Sequence, residues 1–298
     1  MSAFSPVTRA LAAMLAGAAA IAFAPIFVRL SEVGPTATAF WRCALAVPVI
    51  ALFLRWPGQA MPPPAALALR PLILAGAFFA ADLGLWHVSI LWTTVANATL
   101  LANLAPFFVA GFAFFVRRQP LGRATWGALA SAGLGIALLT RETVALGGQR
   151  LMGDMLGVAT AAAYAGYMIA VARARRQAGT MAVALTTSAV AALFLAPIAW
   201  AAGEAMLPAS IGGWAVLGGL ALVSQAAGQG LIVYALAHLP VTFGALALLL
   251  QPVIAAALAW GLFGEAMSGV EMTGGMIVLL AIFLARLDAV RPAREAAS

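Results

Sequence analysis

The sequence predicts an all-α polytopic membrane protein with ten transmembrane helices, arranged as two inverted five-helix repeats around a central cavity. Of its 298 residues, 64% are hydrophobic and only 8% are charged, whereas soluble domains average about 25% charged residues. Ten mostly apolar stretches approach the roughly 20 residues that a membrane helix needs. An apolar helix with an internal proline, a polar break and a second apolar helix occurs twice, around Pro106 and Pro252.

The ten predicted spans follow one another with short breaks that carry turn residues. They cover residues 10–30, 35–54, 71–91, 94–116, 122–140, 153–172, 180–201, 212–236, 241–262 and 269–287. The first stretch resembles a signal peptide core, but it lacks a convincing cleavage region and is interpreted as span 1. The polar tail 291–298 is predicted to be disordered and cytoplasmic.

The distribution of arginine predicts the orientation in the membrane, because short cytoplasmic loops collect basic residues. All sixteen basic residues are arginines. With the N-terminus inside, twelve fall on the inner side and three, namely Arg29, Arg141 and Arg150, on the outer side, while Arg42 lies within span 2. This bias predicts a bacterial-type inner membrane protein with both termini in the cytoplasm. Since the arginines are spread over short loops, the net charge of +7 does not indicate a nucleic-acid partner.

The number of spans determines how the two repeats are oriented relative to each other in the membrane. Five spans per half is an odd number, so the second half crosses the membrane in the opposite sense to the first. Residues 1–147 are predicted to form the first repeat and residues 148–290 the second. The segment Ala-Phe-Ala-Pro25 in span 1 matches Ala-Tyr-Ala-Gly166 in span 6. Resemblance through shared Ala, Leu and Gly composition alone is the alternative.

Several motifs occur together in an order that is familiar. They are Trp41-Arg42 in span 2, the entry to span 4 at residues 92–100, Leu-x-Pro in spans 4 and 9, and Gly264-Glu265 after span 9. The chain resembles the drug/metabolite transporter superfamily, EamA type, over nearly its whole length. The resemblance implies a ten-helix exporter with a central cavity and alternating access. Among the members it looks most like amino-acid and metabolite exporters, including YddG-like exporters of aromatic amino acids. The first half departs from the pattern, with Arg118-Gln119 in place of Gly264-Glu265.

Ionisable residues inside a bilayer are functional candidates, and Arg42, Asp82 and His87 qualify. At 1.5 Å per residue, Arg42 lies about 10 Å and Asp82 about 13 Å below the outer surface. One interpretation is an ion pair that joins spans 2 and 3, or an arginine that snorkels outward. The other is a cavity site that holds the carboxylate and the ammonium of an amino acid. Both interpretations remain open at this point.

Further substrate-binding candidates lie on the same and neighbouring spans. Asp82 and Trp86 share one face of span 3 at helical spacing, and His87 lies beside that face, either as a proton relay or as a hydrogen-bonded structural residue. Uncharged amides hydrogen-bond a polar substrate or a neighbouring helix equally well. The remaining candidates for the cavity are Asn103, Tyr164, Gln225, Gln229 and Gln251.

The sequence also predicts hinges and supporting helices. Proline removes a backbone hydrogen bond and bends a helix, and we predict hinges at Pro25, Pro106 and Pro252. Small residues in spans 5 and 10 permit close packing. These spans are expected to buttress the cavity or to join two copies, so the chain is a monomer or a homodimer through helices 5 and 10.

The motifs that the sequence lacks narrow the range of possible functions. The sequence has no phosphate-binding Walker A motif, its two histidines lie far apart, and Cys43 is the single cysteine. No cofactor or metal is therefore expected. Asp82 and His87 lie about 140° apart on a helix, which is poor geometry for an intramembrane enzyme. The sequence predicts a non-enzymatic exporter of small metabolites, amino acids above all, in the lipid bilayer. A multidrug or cationic metabolite exporter, an intramembrane enzyme and a channel or sensor scaffold are the alternatives.

Overall fold

The helices of the structure overlap the predicted membrane spans. A computed structural model describes residues 6–53, 69–118, 120, 122–139, 141, 147–236, 238–239 and 250–281. Within these residues all regular secondary structure is helical. Seven helical stretches are long and apolar enough to cross a membrane, and three shorter apolar helices accompany them. The predicted all-α polytopic fold class is confirmed.

The helices keep the numbering of the predicted spans. Their bounds are Pro6–Ile21 with Ala24–Arg29 (span 1), Pro35–Phe53 (span 2), Leu69–Trp92 (span 3), Val95–Ala102 with Ala105–Phe115 (span 4), Arg123–Leu139 (span 5), Gly148–Ala174 (span 6), Thr180–Ala201 (span 7), Ile211–Gly219, Leu220–Gln229 and Gly230–Ala235 (span 8), Leu250–Phe263 (span 9) and Gly269–Ala281 (span 10). The part of span 9 predicted at residues 241–249 and the part of span 10 after residue 281 lie outside the described residues, as does the predicted tail.

Two spans are broken, and each break precedes a predicted hinge proline. Pro25 and Pro106 each occupy the first turn of a new helical segment, where the missing N–H of proline leaves no hydrogen bond unmade. At the breaks, the Ile26 N–H donates to the Phe23 carbonyl and the Leu104 N–H to the Leu101 carbonyl, both at 3.1 Å. These bonds between residues three apart tighten the chain and separate two short helices within one span.

The other prolines behave differently. Pro48 and Pro197 lie inside helices that continue past them, because membrane helices tolerate proline when neighbouring groups satisfy the freed carbonyl. Pro252 is the third residue of the described helix of span 9. Span 6 is continuous through Gly166, which stands where span 1 has Pro25 and which retains its N–H.

The middle of span 8 is a π-helix, which the sequence analysis did not predict. Residues Leu220–Gln229 form it between two α-helical segments. π-Helical turns are rare and are frequently found at functional sites. One face of this segment carries Ser224, Gln225, Gly228 and Gln229, all of them buried, so this face points into the bundle, whereas Leu222 and Val223 are exposed.

Span 3 and span 6 make the most extensive helix contact among the described residues, and span 7 packs against spans 2 and 3. Gly76 of span 3 lies directly against Val190 of span 7, with the Thr187 carbonyl oxygen 3.3 Å from the position of an added Cβ. A side chain at residue 76 therefore has no room, and the close approach of these two helices depends on glycine.

We expect Gly76→Ala to destabilise the protein by about 1–3 kcal/mol, because a methyl group there overpacks the interface with Val190. Thermal unfolding in detergent measures the effect. Gly111→Ala is the matched control, since an added Cβ at Gly111 meets nothing within 4 Å. Equal unfolding temperatures for the two variants would contradict this view of the interface.

Spans 5 and 10 lie against each other and against span 4. An added Cβ at Gly135 would stand 2.8 Å from the Gly274 carbonyl oxygen, so the two helices touch at small residues. Ala132, Val278 and Leu101 belong to one buried apolar cluster. Spans 5 and 10 thus support span 4, and the homodimer through them stays a prediction.

Candidate functional site

A cavity lies in the middle of the bundle, enclosed by spans 1, 2, 3, 4, 6, 8 and 9. Its volume is about 50 Å³ in this conformation. Seven of the nine predicted substrate-binding residues line it, contributing both charged and amide groups. Its walls are Ile21, Arg42, Phe79, Asp82, Leu83, Trp86, Thr99, Ala102, Asn103, Thr160, Tyr164, Gln229 and Gln251.

Arg42 projects from span 2 into this cavity and is held on one side only. It is 2% exposed. Its Nε donates to Oε1 of Gln225 at 3.0 Å, and its guanidinium carbon lies 5.9 Å from the centroid of the Trp86 ring. Its Nη1 has no hydrogen-bonding partner among the described residues. A cation over an aromatic face is stabilised by the ring quadrupole, but the open nitrogen remains able to bind a ligand.

Asp82 lines the same cavity from span 3 and is also buried. Within the described part of the chain, the one salt bridge joins Arg29 to Glu265, so Arg42 and Asp82 do not pair directly. The interpretation as an ion pair that joins spans 2 and 3 is therefore not what the geometry supports. A guanidinium and a carboxyl group instead line one cavity without pairing with each other.

Other hydrogen-bonding groups in the cavity wall are also unused. Nε1 of Trp86 and Oγ1 of Thr99 are buried without a partner in the described structure. Buried polar groups are nearly always hydrogen-bonded, and leaving one unpaired costs about 1–3 kcal/mol. Together with Nη1 of Arg42, these groups form a set of donors suited to an anionic or polar ligand.

The remaining amide side chains already donate hydrogen bonds within the protein or lie at the edge of the described structure. Nδ2 of Asn103 donates to the Thr99 carbonyl at 2.8 Å, and Nε2 of Gln229 donates to the Tyr167 hydroxyl at 3.0 Å. Gln251 stands beside Pro252 at the start of the described part of span 9. Both Asn103 and Gln229 line the cavity, and an amide oxygen is a hydrogen-bond acceptor.

One wall of the cavity is aromatic. The ring of Tyr167 stacks on Phe79 at a centroid distance of 4.7 Å and on Tyr164 at 5.6 Å. Phe79 and Tyr164 line the cavity themselves. With Trp86 opposite Arg42, the walls offer apolar and aromatic surface next to the polar groups.

His87 and Gln225 lie elsewhere, although the sequence analysis grouped them with the cavity. His87 is fully buried, and its Nδ1 lies 3.1 Å from the Pro35 carbonyl oxygen at the start of span 2. Gln225 reaches the cavity only through Arg42 and places its Nε2 3.0 Å from Oγ of Ser188. The residues described as lining the cavity include neither side chain.

The sequence analysis also missed residues that line the cavity. Phe79 lies one helical turn before Asp82 and Leu83, so extending the face of Asp82 and Trp86 toward the N-terminus would have found it. Thr99 lies one turn before Asn103 on span 4 in the same way. Both were recoverable from helical spacing once one residue of each face was known.

One end of the bundle is closed by three glutamates, and we call it the carboxylate end. Glu265 binds Arg29 at 2.9 Å and accepts the Val95 N–H at 3.0 Å. Glu204 accepts the Ala37 N–H at 2.8 Å. Glu32 accepts the backbone N–H groups of Ala209 and Ser210 at 2.9 and 3.0 Å. Each glutamate therefore connects a residue of the first half to a residue of the second.

Arg29 completes the closure of this end. Its Nε donates to the Ile90 carbonyl at 2.9 Å and its Nη2 to the Thr93 carbonyl at 2.8 Å. Beneath these bonds a buried apolar cluster joins spans 1, 3, 4, 8 and 9. Its members are Ala24, Val28, Trp86, Ile90, Val95, Ala98, Leu220, Ala255 and Ala259. The cluster separates the cavity from the carboxylate end.

The loop contact of Glu32 depends on pH. Hydrogen bonds from the Ser210 hydroxyl and backbone lower the pKa of the Glu32 carboxyl. A carboxyl whose pKa is lowered on folding stabilises the structure above its usual pKa. This contact is therefore fully formed at neutral pH and is lost as the pH falls through the lowered pKa.

Comparison with known proteins finds a solved structure with the same fold and relatives with a similar sequence. A solved crystal structure superposes with a TM-score of 0.64 at 18% identity, covering 94% of this chain and 97% of the other. Two curated relatives, the pseudopaline exporter CntI of Pseudomonas aeruginosa strains UCBPP-PA14 and PAO1, are each 25% identical over 272 residues. These matches cover 90% of this chain and 93% of each relative.

The model of the EamA-like transporter family matches twice, at residues 8–141 and 151–287. The two matches account for nearly all of the apolar spans, and the repeated family unit agrees with the internal repeat predicted from the sequence. The matching family consists of transporters and the two relatives are exporters, so the chain is a small-molecule exporter and not an enzyme. The chain belongs to the EamA-like transporter family.

Proposed function

We propose that this protein exports a small zwitterion, an amino acid or an amino-acid-like metabolite, by alternating access. The observation that carries the proposal is that Arg42 and Asp82 line one cavity without pairing. A substrate that carries a carboxylate and an ammonium would pair with both Arg42 and Asp82 at once. Such charge-assisted hydrogen bonds are about twice as strong as neutral ones.

The other cavity groups fit the two ends of such a substrate. Nη1 of Arg42 and Nε1 of Trp86, both donors, suit the carboxylate. Asp82 and the amide oxygens of Asn103 and Gln229 suit the ammonium. The wall of Phe79 and Tyr164 favours an apolar or aromatic side chain. The cavity has a single buried arginine, which disfavours substrates with several phosphates.

Orientation and termini belong to the same proposal. The arginine bias places the carboxylate end outside and both termini in the cytoplasm of a bacterial-type inner membrane. The structure would then be closed to the outside by the contacts of Arg29 and Glu265. The division into repeats at residues 147 and 148 remains a prediction that lies between the two family matches.

The breaks in spans 1 and 4 suit an opening at the carboxylate end. The break before Pro25 follows Ile21, and the break before Pro106 follows Asn103, both of which line the cavity. Short helices beyond each break, Ala24–Arg29 and Val95–Ala102, bear the closing contacts. Tilting of these segments at Pro25 and Pro106, with Pro252 beside Gln251 on span 9, would connect the cavity to the outside.

Asp82→Asn tests the ammonium site. We expect the variant to bind amino acids at least about tenfold more weakly, because a hydrogen bond to a charged group contributes about 1.5–3 kcal/mol. The measurement is competition among the twenty amino acids for efflux from proteoliposomes, with and without a pH gradient. An unchanged affinity for the best competitor would contradict the proposal.

Glu271→Gln is the matched control for this experiment. It makes the same change from carboxylate to amide, but Glu271 accepts the Ser268 N–H at the start of span 10 at 2.8 Å. It is not among the residues that line the cavity. Its variant is expected to retain the affinity of the wild type.

A further inference from the structure

We propose that Gln225 is a positioning residue that, with Ser188, sets the guanidinium of Arg42 for a carboxylate substrate. This inference rests on the proposed function. The three side chains form one buried chain across three spans, from Ser188 on span 7 through Gln225 on span 8 to Arg42 on span 2. Ser188 is 1% exposed, and Gln225 and Arg42 are each 2% exposed.

The hydrogen bonds leave one arrangement for the amide. Arginine only donates, so the oxygen of Gln225 must face Nε of Arg42, and these atoms are 3.0 Å apart. The NH2 group of Gln225 then needs an acceptor, and Oγ of Ser188 lies 3.0 Å from it. A flipped amide would place two donors against each other. The donor-only Arg42 therefore decides which end of the amide faces it, and the bond to Ser188 anchors the amide of Gln225, which in turn positions Arg42.

As a result, the guanidinium of Arg42 has one nitrogen that is hydrogen-bonded and one that is free among the described residues. Nε donates to Gln225, the guanidinium carbon lies 5.9 Å from the centroid of the Trp86 ring, and Nη1 has no partner among the described residues. A long arginine side chain otherwise has many rotamers, and ordering it at the time of binding costs affinity. The contact with Gln225 orders the side chain before the substrate arrives.

The neutrality of the amide matters as much as its geometry. A carboxylate at residue 225 would accept from Nε equally well, but it would neutralise Arg42 and compete with the substrate carboxylate. Glutamine supplies an acceptor without a charge. Gln225 thereby preserves the positive charge of the cavity, and we assign it a role in selecting carboxylate-bearing substrates.

The π-helical turn provides the place for this residue. Gln225 lies within Leu220–Gln229, whose second glutamine, Gln229, binds the Tyr167 hydroxyl of span 6. The two amides of one turn thus reach spans 2, 7 and 6. Any rearrangement of the turn would move Arg42 and the aromatic wall together.

The test compares the affinity for phenylalanine with that for phenylalaninamide, which lacks the carboxylate, in proteoliposome competition. We expect Gln225→Met to lower this preference by about tenfold or more, through the loss of a hydrogen bond to a charged group. The affinity for phenylalaninamide itself should change little. Gln225→Glu should also lose the preference although it keeps an acceptor, and Ser188→Ala should reduce it by a few-fold.

Ser224→Ala is the control, because Ser224 lies in the same π-helical turn but bonds the Ala20 carbonyl at 3.3 Å. Its preference should equal that of the wild type. If Arg42→Leu abolishes the preference while Gln225→Met, Gln225→Glu and Ser188→Ala all retain it, the positioning role is wrong and the proposed function stands. If the wild type shows no preference for phenylalanine, the proposed function fails, and this inference fails with it. Should Gln225→Met not fold, the glutamate and Ser188 variants decide the matter by the same comparison.

Discussion

Replacing Arg42 with leucine is expected to weaken binding of carboxylate substrates by about 30-fold or more. Truncating one partner of a buried, hydrogen-bonded charge pair costs about 2–5 kcal/mol, and each 1.4 kcal/mol is about a factor of ten in affinity. The effect is large because Arg42 is the one arginine among the residues that line the described cavity. Competition by amino acids for efflux from proteoliposomes measures it.

Arg42→Lys separates charge from geometry. Lysine keeps the positive charge, but it lacks the planar fork that serves Gln225 and a carboxylate at once. We expect an affinity between those of the wild type and the leucine variant. Arg150→Leu is the control for arginine removal, because Arg150 is exposed at the start of span 6. An Arg42→Leu variant that kept its affinity for amino acids would contradict the carboxylate site.

The second large effect is expected at the carboxylate end, where Glu265→Gln should favour its opening. The change removes the charge that binds Arg29 and weakens the bond to the Val95 N–H. Contacts of this charged kind contribute about 1.5–3 kcal/mol each, so the ratio of closed to open protein should fall by about tenfold or more. Ala255, which is fully buried in the apolar cluster beneath, should become accessible.

The accessibility is measured by thiol labelling. Cys43 is the only cysteine and is buried, so Cys43→Ala gives a background into which Ala255→Cys introduces one reporter. A membrane-impermeant maleimide added outside should label the reporter faster in the Glu265→Gln protein. Glu271→Gln makes the same change from carboxylate to amide outside this contact, and its labelling should stay as slow as in the wild type. Equal labelling rates in all of these proteins would show that this contact does not close the outer side.

The sequence predicted the spans well because length and apolarity alone decide which segments lie in lipid. It could not tell which prolines break a helix. Pro25 and Pro106 begin new segments, whereas Pro48 and Pro197 lie within continuous ones. The difference depends on which neighbouring groups satisfy the freed carbonyls, and that is decided by packing rather than by the local residues.

The site was predicted in part for similar reasons. Depth along a helix brought Arg42 and Asp82 to one level, and helical spacing put Trp86 on the face of Asp82. Direction around the helix is less certain from sequence, and His87, one residue further, lies outside the cavity beside Pro35. The π-helical turn of span 8 changes which residues face inward. No pattern in the sequence indicated this π-helix. Gln225 and Gln229 were therefore grouped together, although they contact different helices.

The central claim is that the cavity selects a molecule with both charges, and three matched compounds test it most directly. They are phenylalanine, phenylalaninamide without the carboxylate, and 3-phenylpropanoate without the ammonium, each competing with labelled amino acid for efflux from proteoliposomes that contain the wild-type protein. The account predicts that phenylalanine competes at least about tenfold better than either analogue, because each analogue leaves Arg42 or Asp82 unpaired. Equal or better competition by phenylalaninamide would contradict the claim and would favour an exporter of cations.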